Sequence, residues 1–385
     1  MLIFTVSIFW QFAKAFSLIV VTLSGITSST KPVFKNAPAG ISTILSGSVT
    51  FSKLTQSLNI FLLRVLKRSG IAISVRPVAP SKAPAVIVVT ASGKTALSIE
   101  LAKKINGEII SSDSMQIYKD MDIGTAKVTE EEKDGIEHYL IDIISPEERY
   151  TVSNFKKDAE KAIEEILAKG KVPIIAGGTG LYVNSLIYGI EYQEMEYDEG
   201  YRNSLMKKAE TELGLKELYD EAVKIDPEAM KKIFPSDKKR IVRVLEIFKA
   251  TGKTKTEQEI LSRAGGVKYD YKVFGIMRDR EELYERINLR VDLMIEQGLV
   301  EEVKSIYEKY KTFPTAMQGL GYKEVIWYLE NKISYDEMVD LIKKETRRYA
   351  KRQMTWFRKT ENIIWLNGKD SVDKNMEIIM KELNS

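Results

Sequence analysis

The sequence predicts an α/β fold: a P-loop-type parallel sheet flanked by helices, with an all-helical subdomain inserted into it. Three observations predict this. An apolar run, Val86 to Val89, leads into Thr90-Ala91-Ser92-Gly93-Lys94-Thr95, and Ala96 to Lys104 then has the apolar spacing of a helix. A second short apolar strand, Glu108 to Ser112, ends at Asp113. A third, Val172 to Ala176, empties into Gly177-Gly178-Thr179-Gly180 just before another helix, a place for close approach of a backbone or a ligand. Strands that alternate with helices build a parallel sheet, and ligands collect outside the carboxyl ends of its strands.

The residue types of the first loop suit an anion. Gly93 lets the backbone come close, successive N–H groups and the helix N-terminus point at the ligand, Lys94 adds a mobile positive charge, and Thr95 offers a hydroxyl to Mg²⁺. Such a loop holds a pyrophosphate as readily as a triphosphate. Asp113, at its strand end, is placed to face whatever the loop holds; a turn or helix-cap aspartate is the structural alternative. One departure stands out. The full phosphate-loop pattern has a glycine five residues before Gly93, where this chain has Val88, and a β-branched residue resists a tight turn.

Composition narrows the chemistry. At 385 residues and 44% apolar content, the chain can bury one large core or two smaller ones. With no cysteine and a single histidine, disulfides, thiolate nucleophiles and multi-histidine metal sites are excluded, so acid/base work falls mainly to carboxylates, lysine or tyrosine. His138 opens a strand expected over Glu137 to Ile143 and reads as structural.

The net charge of +4 is unevenly distributed. Residues 1–89 have no acidic residue and nine basic ones, with 20 Ser and Thr, while the remaining 49 basic and 54 acidic residues make the rest of the chain net negative. No stretch gives a clean membrane span. Lack of acids with many Ser and Thr matches a transit peptide. The change of composition at the phosphate loop favours another reading: an anomalous extension, arising from a wrong start or a frame shift near the codon for Thr90. No folded domain is expected there.

The catalytic core is expected over 90–192 and 271–385, interrupted by a helical insertion over 193–270. Within the first part, Ile117 to Lys127 reads as a substrate-facing loop and Thr151 to Lys169 as an amphipathic helix. In the insertion, Leu205 to Val223 is helical, Asp226-Pro227 starts a further helix, and Pro235-Ser236-Asp237 caps one whose basic residues lie opposite Ile241, Val244, Leu245 and Phe248. That basic face is either solvated or in contact with RNA phosphates. Tyr271 to Met277 is a strand and Arg280 to Gln297 a helix. Arg286 and Arg290 lie four apart on one face of it, able either to clamp a pyrophosphate or to pair with nearby acids. Met317 to Glu324 is a turn before a helix. Glu345 to Arg358 is the most basic and aromatic stretch, a mixture that suits single-stranded RNA loops, and Asn375 to Leu383 is a terminal helix.

Thr-Ala-Ser-Gly-Lys-Thr, then Asp-Ser-Met-Gln-Ile-Tyr with Met-Asp-Ile-Gly-Thr-Ala-Lys, then Gly-Gly-Thr-Gly-Leu-Tyr, in this order and spacing, resemble the tRNA dimethylallyltransferase (tRNA isopentenyltransferase) family. The resemblance continues through the Arg-Ile-x-Arg segment of the insertion, the Gln-Gly-Leu-Gly-Tyr-Lys-Glu turn and Ala-Lys-Arg-Gln-x-Thr-Trp, covering about residues 90 to 370. The family usually has asparagine where Ser236 stands.

The resemblance implies transfer of a dimethylallyl group from dimethylallyl diphosphate to N6 of the adenosine 3′-adjacent to the anticodon, with release of pyrophosphate. Asp113 would be the general base. Thr90, Ala91, Ser92, Gly93, Lys94 and Thr95 would hold the diphosphate, with Mg²⁺ at Thr95 and an arginine, Arg286 or Arg290, completing the charge balance. Contacts to the tRNA anticodon stem-loop would come from Ser114, Met115, Gln116 and Thr179 around a flipped-out base. Lys239, Arg240 and Arg243 on the insertion, and Arg347, Arg348, Lys351 and Arg352 near the C-terminus, would add backbone contacts. A cytoplasmic monomer without a membrane partner is expected. Two alternatives stand beside this: a P-loop small-molecule or nucleotide kinase, in which Asp113 would deprotonate an alcohol, and an inactive tRNA-binding relative should Val88 spoil the loop.

Overall fold

The computed structural model describes residues 84–89, 94–192, 198–263 and 265–384, together with the backbone of four short strands nearer the N-terminus. Those four are β1 (Thr5–Ile8), antiparallel to β2 (Ile19–Thr22), and β3 (Val49–Phe51), parallel to β4 (Ile73–Val75). They belong to a unit comprising Met1–Lys82, distinct from the unit Ala83–Ser385. Thr90, Ala91, Ser92, Gly93 and the side chain of Lys94 lie outside the described residues.

The larger unit is organised around β5 (Pro84–Val89), whose unbroken apolar sequence reflects burial on both faces. Ala85, Ile87 and Val89 enter one core layer, while Val86 and Val88 enter the other. Val88 therefore stands inside the strand rather than in a turn, opposite Ala176 and Phe274 and with 0% exposure.

From β5 the chain runs through α1 (Lys94–Ile105) into β6 (Gly107–Ser111). After a long loop, α2 (Glu130–Lys133), β7 (His138–Tyr139) and α3 (Val152–Ala168) lead to β8 (Val172–Gly177) and α4 (Gly180–Ile187). Thr151 caps α3 by accepting the Asn154 N–H on its hydroxyl, and its own N–H donates back to Asn154 Oδ1. The strand expected over Glu137 to Ile143 is only two residues long. Leu140 and Asp142 have φ of 61° and 55°, left-handed backbone that cannot continue a ladder.

The insertion comprises α5 (Glu199–Lys208), α6 (Glu212–Ile225), α7 (Pro227–Met230), α8 (Lys238–Thr251) and α9 (Lys255–Ser262). It has its own apolar core, built by Leu205, Leu218, Ile241, Val244 and Leu245 among others. The single helical stretch expected over Leu205 to Val223 is two helices, because the Thr211 hydroxyl accepts from the Gly214 N–H and starts α6 afresh.

The chain then returns to the sheet as β9 (Asp270–Met277) and continues through α10 (Arg280–Glu296), α11 (Leu299–Lys309), a 3₁₀ turn (Ala316–Gln318) and α12 (Tyr322–Leu329). The long α13 (Tyr335–Phe357), the last strand β10 (Ile363–Asn367) and α14 (Val372–Leu383) complete it. Strand β10, which the sequence reading did not foresee, adds an edge beside β9. The sheet order is β10-β9-β5-β8-β6-β7, every pairing parallel, so all carboxyl ends lie along one edge. From β5 the chain leaves in one direction towards β6 and later returns on the other side as β9, the arrangement that opens a crevice at the carboxyl edge.

Candidate active site

The crevice holds a cavity of about 640 Å³, within the usual range for ligand sites. Among the candidate residues, Thr95, Asp113, Ser114, Met115, Gln116, Arg286, Arg290 and Arg352 line it. They reach it from the start of α1, the end of β6, and the facing sides of α10 and α13.

Asp113 is fixed by its own turn. Its Oδ1 accepts the Met115 N–H at 2.9 Å, and its own N–H points to the Ser111 hydroxyl at 3.4 Å. No hydrogen bond engages Oδ2 among the described residues, which leaves that oxygen able to take a proton from a ligand. The turn packs against the end of β8 so closely that a Cβ on Gly177 would lie 2.1 Å from Ser112 Oγ and 2.5 Å from the Ser112 carbonyl carbon. Only glycine permits that approach.

Gln116 and Thr179 have internal partners. The Gln116 amide donates to the carbonyls of Thr125 (3.3 Å) and Ala126 (3.2 Å), and its oxygen accepts from Ser111 Oγ at 3.0 Å. Thr179 Oγ1 accepts the Ser114 N–H at 3.1 Å and meets the Ser114 hydroxyl at 3.3 Å. Both therefore hold the Asp113 turn in shape. His138 is half-buried, its Nδ1 2.8 Å from the Ile136 carbonyl, and burial pushes its pKa down. With Thr95, Ser98, Ser111 and Gln116 it lines a small separate cavity of about 40 Å³.

The two arginines of α10 sit at the wall of the main cavity, neither in a salt bridge among the described residues. Burial among the walls, followed by the neighbouring charge of Arg286, pushes the Arg290 pKa down. A guanidinium so placed gains from an anionic ligand, which adds a counter-charge to the smaller one that Glu132 supplies.

The facing helix α13 contributes residues that the sequence reading missed. Ile342, Thr346, Tyr349 and Gln353, spaced four, three and four apart, form one stripe that begins in the apolar core and runs along the cavity. Gln353 is 8% exposed and donates to the Gly178 carbonyl at 2.8 Å, pinning the helix to the end of β8. Burial raises the Tyr349 pKa to about 12, with the Asp113 carboxylate adding to the effect, so Tyr349 is a neutral phenol beside that acid. The spacing of this stripe is visible in the sequence, but the basic residues on the other faces of the helix dominate its composition and mask it.

Apart from Arg352, the cationic candidates on α8 and α13 lie outside the cavity. Lys239, Arg240 and Arg243 are exposed on α8, where Arg240 pairs with Asp237 at 3.2 Å and Arg243 lies 3.6 Å from Glu246. On α13, Arg347 donates to Asn288 Oδ1 at 2.5 Å and Arg348 pairs with Glu345 at 2.6 Å, while Lys351 is exposed. Arg352 stands 5.7 Å from the centre of the Tyr349 ring. At the end of the same helix Trp356 covers Gly180 so tightly that a Cβ there would come within 2.4 Å of its ring.

Residues 116–360 match the family described as IPP transferase. The chain belongs to that family. It is 53% identical over 291 residues to a protein of Acetivibrio thermocellus named tRNA dimethylallyltransferase, covering 75% of this chain and 92% of the relative. A tRNA dimethylallyltransferase of Halothermothrix orenii is 47% identical over 296 residues, covering 77% and 90%. Among solved structures, the IPP transferase fold found here is similar to the full-length tRNA isopentenylpyrophosphate transferase of Bacillus halodurans. That likeness has a TM-score of 0.59 at 40% identity, over 79% of this chain and 96% of that one. It is also similar to a eukaryotic dimethylallyltransferase acting on tRNA, with a TM-score of 0.65 at 30% identity over 77% of each chain. The kinase alternative has no support in these relatives. Among the described residues, no helix is long and apolar enough to cross a membrane.

Proposed function

We propose that this IPP transferase family member moves a dimethylallyl group from dimethylallyl diphosphate to N6 of the adenosine 3′-adjacent to the anticodon of a tRNA, releasing pyrophosphate. One observation supports it above the rest: a carboxylate with one oxygen unengaged and two arginines outside any salt bridge among the described residues line the same cavity as Thr95, at the start of the helix that follows the phosphate loop.

An aromatic amine is a weak nucleophile, and it attacks the allylic carbon only if its proton is accepted as the new C–N bond forms; Asp113 Oδ2 is the acceptor. The departing diphosphate gains negative charge as the C–O bond breaks, and Arg290, Arg286, Lys94 and the N–H groups of Thr90 to Gly93 are the donors that meet it. Among the described residues no three His, Asp or Glu side chains converge as a metal cage, whereas Thr95 supplies a hard oxygen at the cavity. That fits a Mg²⁺ held mainly through substrate phosphates, whose chemistry would be to neutralise the leaving group. The base must leave its stack to reach Asp113, and the exposed cations of α8 and α13 are proposed to grip the phosphates on either side.

Asp113→Ala tests the assignment. Single-turnover transfer to an anticodon stem-loop is expected to fall by about 10³-fold, while pyrophosphate affinity measured by calorimetry changes less than about twofold. A near-normal transfer rate would falsify the assignment of the base.

A further inference from the structure

One carboxylate beside the cavity has no role in the chemistry above. Glu302 lies on α11, a helix anchored in the core by Leu299, Val303 and Ile306. Its Oε2 accepts the N–H groups of Asp122 (2.9 Å) and Ile123 (2.7 Å). Its Oε1 accepts the Gly124 N–H at 3.1 Å and the Tyr322 hydroxyl at 2.7 Å. Three successive backbone N–H groups that converge on one point form a nest for an anion, and here a side chain of the protein fills it. Tyr322, 1% exposed, stands so close to Gly124 that a Cβ there would be 2.5 Å from its ring. Gly124, Thr125, Ala126 and Tyr322 all line the cavity that Asp113 lines.

The same loop is held from its other side by Gln116, through the carbonyls of Thr125 and Ala126. Gln116 in turn accepts from Ser111 Oγ, the atom to which the Asp113 N–H points. Two sets of hydrogen bonds, joined by the backbone of the Asp122–Ala126 loop, therefore lead from Glu302 through the cavity wall to the backbone of the proposed base.

We infer that Glu302, with Tyr322, is a positioning residue for the transfer reaction: it fixes the Asp122–Ala126 wall and, through Gln116 and Ser111, the aim of Asp113. The inference rests on Asp113 being the base. A carboxylate suits the task because its two oxygens offer acceptors to all four donors at once, whereas a glutamine turns an N–H₂ group towards N–H groups.

The test is a kinetic cycle on the full chain, with an anticodon stem-loop and dimethylallyl diphosphate as substrates. Glu302→Gln is expected to lower kcat between about tenfold and about a hundredfold, with donor KM within about twofold of normal. The loss should vanish in the Asp113→Ala background, because a misaimed wall has no carboxylate left to misplace. Tyr322→Phe keeps the ring against Gly124 and should show a smaller loss of the same kind; it decides the matter should Glu302→Gln fail to fold. Normal kcat in both variants beside a crippled Asp113→Ala overturns this inference alone. So does an equal fold-loss in the two backgrounds, which marks a contribution independent of the base. Normal turnover by Asp113→Ala overturns the underlying assignment and this inference with it.

Discussion

Arg286 and Arg290 on α10, and Arg240 and Arg243 on α8, are two pairs of arginines at helical spacing, and their surroundings are opposite. The α10 pair lines a cavity without a salt bridge among the described residues, and burial together with mutual repulsion pushes Arg290 down. The α8 residues stand in solvent beside their own acids, Arg240 with Asp237 and Arg243 with Glu246, whose second partner is Arg202 at 2.7 Å. A guanidinium that forms no salt bridge among the described residues stabilises an anion that arrives. One already paired and hydrated adds to a long-range field instead. The first kind suits a reacting group and the second suits a polyanion.

The largest difference should follow removal of the cavity arginine. Arg290→Ala is expected to lower kcat/KM about a hundredfold at saturating tRNA and to weaken pyrophosphate binding in calorimetry. Arg290→Lys keeps the charge but loses the planar fork, so about a tenfold loss should remain. Arg286→Ala, measured in parallel, decides which of the two meets the diphosphate more directly. If neither variant changes donor kinetics, the contrast drawn between the two helices is wrong.

A smaller and different effect is expected on α8. Arg240→Ala should raise the KM for tRNA only about two- to threefold and leave donor KM unchanged. If Arg240 contacts one phosphate, the slope of log affinity against log salt should become shallower by about 0.7–0.9. A salt-independent loss would mean that Arg240 acts through the fold of the insertion.

The distinction between these helices was only half legible in the sequence. Arg286 and Arg290 were found from their spacing, yet sequence alone left pairing with Glu282, Glu285 or Asp292 equally open. The structure gives Glu282 to Arg278 and Asp292 to Lys343 instead. The place of Asp113 at the cavity was legible because ligands gather at the carboxyl ends of parallel strands, and the turn reading that the sequence left open also describes it, since its Oδ1 accepts the Met115 N–H. Tyr349, Gln353 and Glu302 were not legible, because their roles depend on which face of α13 or α11 meets the sheet edge, a fact of tertiary packing. Strand β10 was missed for a related reason: its Ile363-Ile364-Trp365-Leu366 run is a short apolar stretch at the sheet edge, with no periodicity to separate strand from helix. The two-residue β7 was over-read because positive φ at Leu140 and Asp142 leaves little mark in sequence.

A third charge cluster supplies the control, at the amino end of β6, away from the cavity. Glu108 is 3% exposed and receives Lys171 at 2.7 Å, Lys169 at 3.0 Å and the Tyr139 hydroxyl at 2.9 Å. Burial pushes its carboxyl up, but the hydrogen bonds from Lys171, Lys169 and Tyr139 together outweigh it, so its pKa ends below the usual glutamate value. A carboxyl depressed in the folded state contributes stability that is fully present above its unfolded pKa of about 4.3 and is lost as the pH falls from there through the folded pKa. Glu108→Gln should therefore lower stability at neutral pH by about 1–3 kcal/mol in urea unfolding, discounted because both lysines are partly exposed. The difference from the parent should shrink as pH falls below about 4, where the parent loses the same charge. Turnover at neutral pH should be unchanged, since no residue of the cluster lines the cavity. A fall in kcat with stability intact would show that charge at the far edge of the sheet is felt at Asp113, and would undo the division between cations that bind substrate and charges that only hold the fold.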